Sequence, residues 1–481
     1  MRTTIVTRYV GQSLLLVASM MLVSAGVAFL DNEDDSMLPL FFSAAVTGLT
    51  GAFPMIFARA NGRLSVTEGY YIVVISWLTC CIFGMIPYIC YSNEFSLTDS
   101  LFESVSGFTT TGASIIQDTE SLPKGLLFWR KCTCWIGGIG IVTLFSLIIP
   151  RNGDAKSILR GAELSDIVLN ENNRRDGIVV KTILAVYVLI TLLCSVSLKL
   201  TGLDWFDSVT TAMSTCSTCG FGVLNDSIYG YHNVGAEIVL IVFMAISGMN
   251  FISLFSLFKK SLRKRAQYET VITYLVLTVA GTLLIFVDLI ANGSGKHILD
   301  TLREAAFQFT SIITTTGFAT TDTSIWPDIS ILILITASVI CGCSGSTSGG
   351  IKLDRAIIMA KASRNEIIHL RHPNRVLNVS VNGRNVSGDL ATHTFIFLAC
   401  YLGLTFLGAM INIACGLDIT TGISAAIACI GNVGPGFGNV GSFGNYADVP
   451  ELAKISNTLL MLFGRLEIFP ILFVLSNIKN N

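Results

Sequence analysis

Four short segments of the chain place polar or small residues directly before a glycine, a pattern that suits the binding of a cation. They recur about every hundred residues, as in a repeat architecture, and each lies between two long apolar segments. The candidate ion-binding residues are Thr110, Thr111, Gly112, Thr218, Cys219, Gly220, Thr315, Thr316, Gly317, Asn432, Val433 and Gly434. Glycine adopts backbone angles closed to other residues, and backbone carbonyls at such a turn can replace part of a cation's hydration shell. Four such turns around one axis would form a cation filter.

A short, moderately apolar segment precedes each glycine turn. We expect helices near residues 98–108, 204–215, 299–312 and 418–430. Helices of about 10–13 residues are too short to cross a bilayer, so they should dip into it and return. Their partially negative C-terminal ends would then point at the turns, which favours a cation there. A plain helix C-cap explains one such turn, but it does not explain four at matching positions.

The composition indicates a membrane protein that crosses the bilayer many times. Of its 481 residues, 52% are hydrophobic and 13% are charged, whereas soluble domains carry about 25% charged residues. The net charge of −1 gives no reason to expect binding to nucleic acid. Because about 20 apolar residues cross a bilayer, the sequence predicts ten spans, near 10–30, 38–58, 68–91, 125–150, 179–201, 234–258, 269–291, 328–360, 390–415 and 453–476.

The predicted fold is an all-α polytopic membrane protein in which two N-terminal spans precede four membrane-pore-membrane repeats in a pseudo-fourfold arrangement. The predicted units are residues 1–62, 63–160, 161–265, 266–384 and 385–481. Basic residues follow the second span and each of the first three repeats, for example Arg59, Arg160, Lys260 and Arg371. All of them lie on one side when the N-terminus is inside, as the positive-inside rule requires. We therefore expect both termini in the cytoplasm and basic cytoplasmic loops that dock a soluble regulator.

A second notable stretch interrupts the eighth span with small residues. The candidate gate residues in it are Gly342, Ser344, Gly345, Ser346, Thr347, Ser348, Gly349 and Gly350. Glycine and serine lower helix stability, and backbone groups freed at membrane depth need partners. We expect a flexible gate that lines the cavity below the filter. Close packing of helices through small residues is the alternative.

Arg465 is a charged residue inside the last apolar segment. A charge at the bilayer centre costs about 2.5–3.5 kcal/mol on insertion scales and marks a function or a buried partner. Glu467 is two residues away and faces another side of a helix. We expect Arg465 to point to the pore or the broken span, where it binds backbone carbonyls or forms a positive barrier. A structural ion pair is the alternative.

Two further patterns suggest other chemistry. Gly342-Cys343-Ser344-Gly345 matches the Gly-x-Ser-Gly of rhomboid-type intramembrane serine proteases, but the serine needs a histidine base within reach. The later histidines lie in or beside the basic cytoplasmic loop. Cys216-x-x-Cys219 has metal-like or redox-like spacing, yet no second cysteine pair or histidine accompanies it, so zinc is not expected. The sequence predicts neither an enzyme nor a covalently bound cofactor.

The stretch from Phe102 to Gly112, and the Thr-Thr-Gly-Phe turn at 315–318, resemble the Trk/Ktr/HKT superfamily of potassium transporters. The resemblance covers nearly the whole chain, and the two extra N-terminal spans resemble the Trk membrane subunit rather than the shorter Ktr form. It implies a potassium-channel-like pore with potassium at the four filter glycines and an arginine, here Arg465, beside the pore. Cys219 departs from the glycine that Trk members often carry, so repeat two matches least.

The resemblance also implies potassium uptake across the cell inner membrane, either channel-like or coupled to another ion. Glycine in all four turns resembles the potassium-permeable members, whereas serine in the first turn favours sodium in some plant members. A sodium-selective or sodium-coupled transporter of the same pore class remains the alternative. Family partners are a second copy in a homodimer and a soluble TrkA-like regulatory subunit that binds NAD or ATP/ADP.

Overall fold

The chain is mostly helical. A computed structural model describes residues 2–31, 34–57, 65–92, 94–140, 176–256, 268–293, 297–375 and 377–479. The helices are α1 (Thr3–Leu30), α2 (Met37–Phe57), α3 (Val66–Gly84), α4 (Ile86–Tyr91), α5 (Leu97–Phe108), α6 (Lys124–Ile139), α7 (Asp176–Leu200), α8 (Trp205–Ser217), α9 (Val234–Ser247), α10 (Phe251–Ser256), α11 (Tyr268–Ala291), α12 (Ile298–Ile313), α13 (Asp328–Ile340), α14 (Leu353–Arg371), α15 (Gly388–Ala414), α16 (Ile419–Ile430), α17 (Glu451–Arg465) and α18 (Phe469–Lys479). Strands β1 (Ser380–Val381) and β2 (Arg384–Asn385) form a small antiparallel hairpin.

The fold is that of a polytopic membrane protein. Among the described residues, six helical segments are long and apolar enough to cross a bilayer, or seven if α17 and α18 count as one bent span. They include α1, α2 and the segment from α3 to α4, and also α11, α15 and most of α7. On α11, Ile272, Val276 and Val279 are each about 60% exposed, as expected for a face in contact with lipid.

The two N-terminal helices pack closely against each other. A Cβ atom on Gly11 of α1 would lie 2.6 Å from the carbonyl oxygen of Gly51 on α2. One on Gly51 would lie 2.8 Å from the carbonyl oxygen of Gly11. The two backbones therefore meet where only glycine fits, as at other interfaces between membrane helices.

The second apolar segment of each repeat is a shorter helix than predicted. Predicted spans at 125–150, 234–258, 328–360 and 453–476 instead begin with α6, α9, α13 and α17, of 16, 14, 13 and 15 residues, each of which ends at a break. Only the break in the third repeat was predicted. The chain turns by 108° between α17 and α18. The part of the first such span after residue 140 lies outside the described residues, as do Arg59, Arg160 and Lys260.

Close packing explains two of these breaks. A Cβ atom on Gly137 of α6 would overlap the carbonyl oxygen of Phe108, the last residue of α5. One on Gly464 of α17 would overlap the carbonyl oxygen of Ile430, the last residue of α16. Glycine allows this approach but costs about 1 kcal/mol of helix stability relative to alanine. The second helix therefore weakens where it meets the end of the short helix.

Four short helices lie where the sequence predicts them, namely α5, α8, α12 and α16. Their N-termini are capped in three cases by side chains, with Ser96 accepting a hydrogen bond from the Asp99 N–H and Asp418 accepting one from the Thr421 N–H. His297 does the same for Leu299 at the start of α12. Their C-terminal halves are buried, so each helix runs from the surface toward the interior.

Candidate functional site

The four short helices end in the same backbone turn. The residue two places before the glycine is left-handed in each case, at Thr110 (φ 56°), Thr218 (φ 54°), Thr315 (φ 57°) and Asn432 (φ 52°). The N–H of the following residue donates to a carbonyl five residues earlier, from Thr111 to Ser106 (2.9 Å), Cys219 to Ser214 (3.0 Å), Thr316 to Ser311 (2.8 Å) and Val433 to Ala428 (2.9 Å). This is a Schellman motif. Each turn therefore does cap its helix, and the glycine follows the cap.

The left-handed caps are strained, because such a conformation costs roughly 1–2 kcal/mol for a residue other than glycine. Three of them are threonine, whose branched Cβ makes a positive φ a genuine outlier. Strain of this kind persists only where the surrounding structure imposes it, and it clusters at ligand sites. The same strain at four matching positions marks the turns as the candidate site.

The glycines of the four turns contact one another in a closed cycle. Their φ angles are positive, at 81°, 79°, 78° and 97° for Gly112, Gly220, Gly317 and Gly434. A Cβ atom on Gly112 would meet the carbonyl oxygen of Cys219, one on Gly220 that of Thr316, one on Gly317 that of Val433, and one on Gly434 that of Thr111, each closer than 3.0 Å. The carbonyl group directly before each glycine thus packs against the glycine of the preceding turn. Only glycine fits at these four positions.

All four glycines also line one cavity of about 150 Å³. A hydrogen bond also joins the last turn to the first, since the Asn432 amide donates to the Thr111 hydroxyl at 2.9 Å. Cys219, which departs from the other turns in residue type, holds the same backbone position as its counterparts.

Serine hydroxyls hold three of the turns in place. Ser106 donates to the carbonyl of Ala113 at 2.5 Å, Ser214 to that of Phe221 at 3.2 Å and Ser311 to that of Phe318 at 2.7 Å. The fourth turn has Ala428 at this position, and there Tyr446 donates to the Gly434 carbonyl at 3.0 Å. The fourth turn is therefore supported from a different direction.

A buried ion pair supports the first two turns, and the sequence analysis missed it. Arg130 of α6 donates to Glu103 of α5 at 2.5 Å, with side-chain exposures of 1% and 0%. Arg130 also covers the Phe221 ring at 3.8 Å and donates to the Gly222 carbonyl at 3.2 Å. Its neighbour Lys131, fully buried, donates to the Phe221 carbonyl. In the sequence, the buried pair could have been suspected from two adjacent basic residues, Arg130 and Lys131, within an apolar segment.

The loops that follow the first two turns are also joined to each other. Asn225 accepts a hydrogen bond from the Thr119 N–H at 2.7 Å and donates to Asp118 at 2.9 Å. That donation holds the pKa of the Asp118 carboxyl below its usual range. Its neighbours Gln117 and Thr119 line the cavity, so this carboxylate lies close to it, and negative charge there raises the local concentration of cations.

The predicted break in the third repeat is present as an irregular segment between α13 and α14, which we term the gate loop (residues 341–352). Three hydrogen bonds join it to other elements: the Asn250 amide donates to the Ser344 carbonyl (2.7 Å), the Thr347 hydroxyl to the Cys216 carbonyl (3.0 Å), and the Gly349 N–H to the Thr315 hydroxyl (3.0 Å). Within the loop, the hydroxyls of Ser346 and Ser348 are 2.7 Å apart. A Cβ on Gly342 would lie 2.9 Å from the Gly248 carbonyl. Gly345 and Gly350 have φ angles of 80° and 66°. The loop thus contacts the C-terminal end of α8 and the cap of α12.

Arg465 lies at the end of α17. It binds backbone carbonyls, as expected from the sequence. Its guanidinium donates to Thr347 of the gate loop at 2.9 Å and to Gly138 of α6 at 3.1 Å, and also to Gly137. Glu467 faces elsewhere, binding Lys352 at 2.9 Å and Arg355 at 2.5 Å. The gate loop is therefore held both by the last residue of α17 and by Glu467, which lies in the break between α17 and α18.

Comparison with known proteins agrees with this geometry. Residues 42–480 match a protein family described as "TrkH: Cation transport protein". The "Trk system potassium uptake protein TrkH" of Salmonella typhimurium is 32% identical over 97% of both chains, and the TrkG protein of Escherichia coli K12 is 29% identical over 96% of both. The crystal structure of the potassium transporter TrkH from Vibrio parahaemolyticus superposes with a TM-score of 0.89 at 30% identity, covering 99% of both chains. The chain belongs to the TrkH family of cation transport proteins.

Proposed function

We propose that this protein takes up potassium across the cytoplasmic membrane through the cavity lined by the four glycines. The carbonyl oxygens of Thr111, Cys219, Thr316 and Val433 would replace part of the hydration shell of the ion. The closed cycle of contacts supports this proposal, because one carbonyl group from each turn packs against the glycine of a neighbouring turn and all four glycines line one cavity. The two relatives named above are called potassium uptake proteins, and the solved structure is that of a potassium transporter.

The arrangement we propose has ten spans, both termini in the cytoplasm and the unit boundaries given by the sequence. Two features support four pore repeats after residues 1–62. The same capped turn occurs four times, and each turn is followed by a helix of 13 to 16 residues that ends in a break. Such repetition is typical of one supersecondary unit used several times.

The gate loop would obstruct the path below the ring, with Arg465 limiting the flow. The support is its position, since it touches the ends of two short helices through Cys216 and Thr315. Irregular backbone at membrane depth is tolerated where it is buried in protein or lines water. Opening would require the hydrogen bonds from Arg465 to Thr347 and Gly138 to break.

Potassium is the ion we propose, with sodium as the alternative within the same pore class. A single carbonyl ring gives fewer ligands than the stacked rings of a potassium channel, so selectivity should be modest. Proteolysis by Ser344 finds no support, because among the residues that the structure describes its hydroxyl has no hydrogen-bond partner, and a serine nucleophile needs a base within reach.

For partners, we propose a second copy of the chain and a soluble nucleotide-binding subunit on the cytoplasmic face. The relatives' names refer to a "Trk system", which agrees with a transporter that works with other subunits. The exposed, basic C-terminal end of α14, which includes His369 and Arg371, supplies a surface for such a subunit.

The test is rubidium uptake into liposomes that contain the purified protein, beside Gly317→Ser, with potassium and sodium as competitors. We expect uptake that potassium blocks more strongly than sodium, and a loss of this preference in the variant. Equal competition by sodium would favour the alternative ion. Uptake that is absent even after addition of cell extract and nucleotide would contradict the proposal.

A further inference from the structure

Two cysteines from different repeats meet behind the ring of carbonyls. Cys134 lies on α6 of the first repeat and Cys219 lies in the turn of the second. Their sulfur atoms are 2.7 Å apart, and both side chains are fully buried. A disulfide bond is about 2.05 Å long, so the two sulfurs lie within about 0.7 Å of bonding distance. The spacing in the sequence suggested Cys216 as the partner of Cys219, but the structure brings Cys134 to it instead.

We propose that Cys134 and Cys219 form an oxidisable pair, a modification site at which a peroxide converts two thiols into a disulfide that joins the first repeat to the filter turn of the second. Both residues are thiols in the structure. The site goes beyond potassium uptake, since the reaction needs only the two sulfurs and a small oxidant.

The pair lies next to residues that line the cavity. Gly220, Phe221 and Arg130 line the cavity that contains the four glycines. Gly220 directly follows Cys219, and Phe221 packs with Cys134 and Cys219 in one small cluster. Hydrogen peroxide is little larger than water, and a molecule in this cavity would lie beside Phe221, the residue that packs with both cysteines.

The chemistry balances with hydrogen peroxide as the oxidant. The sulfur of Cys219 attacks one peroxide oxygen, the O–O bond breaks, and a sulfenic acid and one water molecule form. The sulfur of Cys134 then attacks the oxidised sulfur, and the hydroxyl group leaves as a second water molecule. Two electrons pass from the thiols to the peroxide, and both thiol protons end in water. A dithiol such as dithiothreitol reverses the reaction by thiol–disulfide exchange.

Formation of the bond should lower transport, an effect that rests on the proposed function. The carbonyl group of Cys219 is one of the four in the ring, and Gly112 packs directly against it. Movement of the Cys219 sulfur toward α6 displaces this backbone, so the ring loses its regular geometry. Three carbonyl groups remain in place, so we expect reduced uptake rather than a change in the ion transported.

The experiment treats the full-length protein in liposomes with hydrogen peroxide, followed by peptide mass spectrometry and rubidium uptake. We expect a peptide pair joined through Cys134 and Cys219, and a fall in uptake of at least fivefold that dithiothreitol restores. Cys134→Ala should keep its basal uptake and form no such peptide pair. Peroxide can still oxidise its Cys219 to a sulfenic acid, but without a bond to α6 its uptake should fall by less than the wild-type uptake does. Cys132→Ala, a buried cysteine on the same helix, should respond as the wild type does.

The two readouts separate this inference from the proposed function. Absence of the joined peptide pair from the peroxide-treated wild-type protein would overturn the modification site, and this measurement needs neither transport nor a variant. An equal loss of uptake in Cys134→Ala would overturn the link between the pair and transport. A joined pair in a protein that never takes up rubidium would support the site and contradict the function.

Discussion

Replacement of Gly434 by alanine tests the ring of carbonyls most directly. The added Cβ atom would lie 2.5 Å from the carbonyl oxygen of Thr111, whereas ordinary contact begins at 3.4 Å. That oxygen must therefore retreat by roughly 0.9 Å, the difference between these two distances. In the proposed filter, a displacement of this size would remove one of the four carbonyl groups from contact with a bound cation.

The magnitude follows from the energy of one such contact. A hydrogen bond to a charged group contributes about 1.5–3 kcal/mol net, and we take the contact between a carbonyl and a cation to be similar. Each 1.4 kcal/mol corresponds to a tenfold change in affinity, so the apparent affinity for potassium should fall roughly 10- to 100-fold. The positive φ of 97° at Gly434 adds strain of about 1–2 kcal/mol, which lowers stability as well.

The assay measures rubidium uptake into liposomes as potassium is varied, with Gly416→Ala as the matched control. Gly416 lies in the same repeat and has a φ of 101°, but a Cβ there would have no neighbour within 4 Å. The control therefore has the backbone strain without the displaced carbonyl, and it should keep the wild-type affinity for potassium. Unchanged affinity in Gly434→Ala, or an equal loss in Gly416→Ala, would refute the reasoning.

Three further substitutions test the support around the ring. Glu103→Gln leaves the fully buried Arg130 without a charged partner, so the free energy of unfolding should fall by about 3–5 kcal/mol; a thermal midpoint in detergent equal to that of wild type would contradict this. Ser311→Ala removes the hydrogen bond to the Phe318 carbonyl, so the free energy of unfolding should fall by about 1 kcal/mol. The preference for potassium over sodium in uptake should fall as well; unaltered competition between the two ions would show that this hydrogen bond is not needed for selectivity. Arg465→Gln weakens the hold on the gate loop, and we expect a faster initial rate of rubidium uptake; a slower rate would mean that Arg465 keeps the path open.

The sequence predicted the elements that depend on local pattern. The four short helices were placed within a few residues, because a brief apolar segment with an early acidic residue and a closing glycine carries that information in one stretch. The break after Ile340 was predicted for the same reason, since a run of glycine and serine cannot sustain a helix.

The remaining features depend on contacts between distant segments. Neither the pairing of Glu103 with Arg130 nor that of Cys134 with Cys219 has a local signature. The breaks after α6 and α17 arise where Gly137 and Gly464 approach the end of another helix, and a lone glycine in an apolar segment does not reveal that. The sequence around Glu103 indicates no partner for its carboxylate, which in the structure turns toward Arg130 of α6.

The closed cycle of contacts is built from four turns that are encoded at four separate places in a single gene. In an assembly of four identical subunits, one codon change alters every ligand of the ring at once. Here a change in Cys219 or Asn432 alters a single quadrant, and the other three turns keep their sequence. Mutation can therefore change the ligands of such a ring one turn at a time. Intermediate ion selectivities can then evolve while the pore is retained.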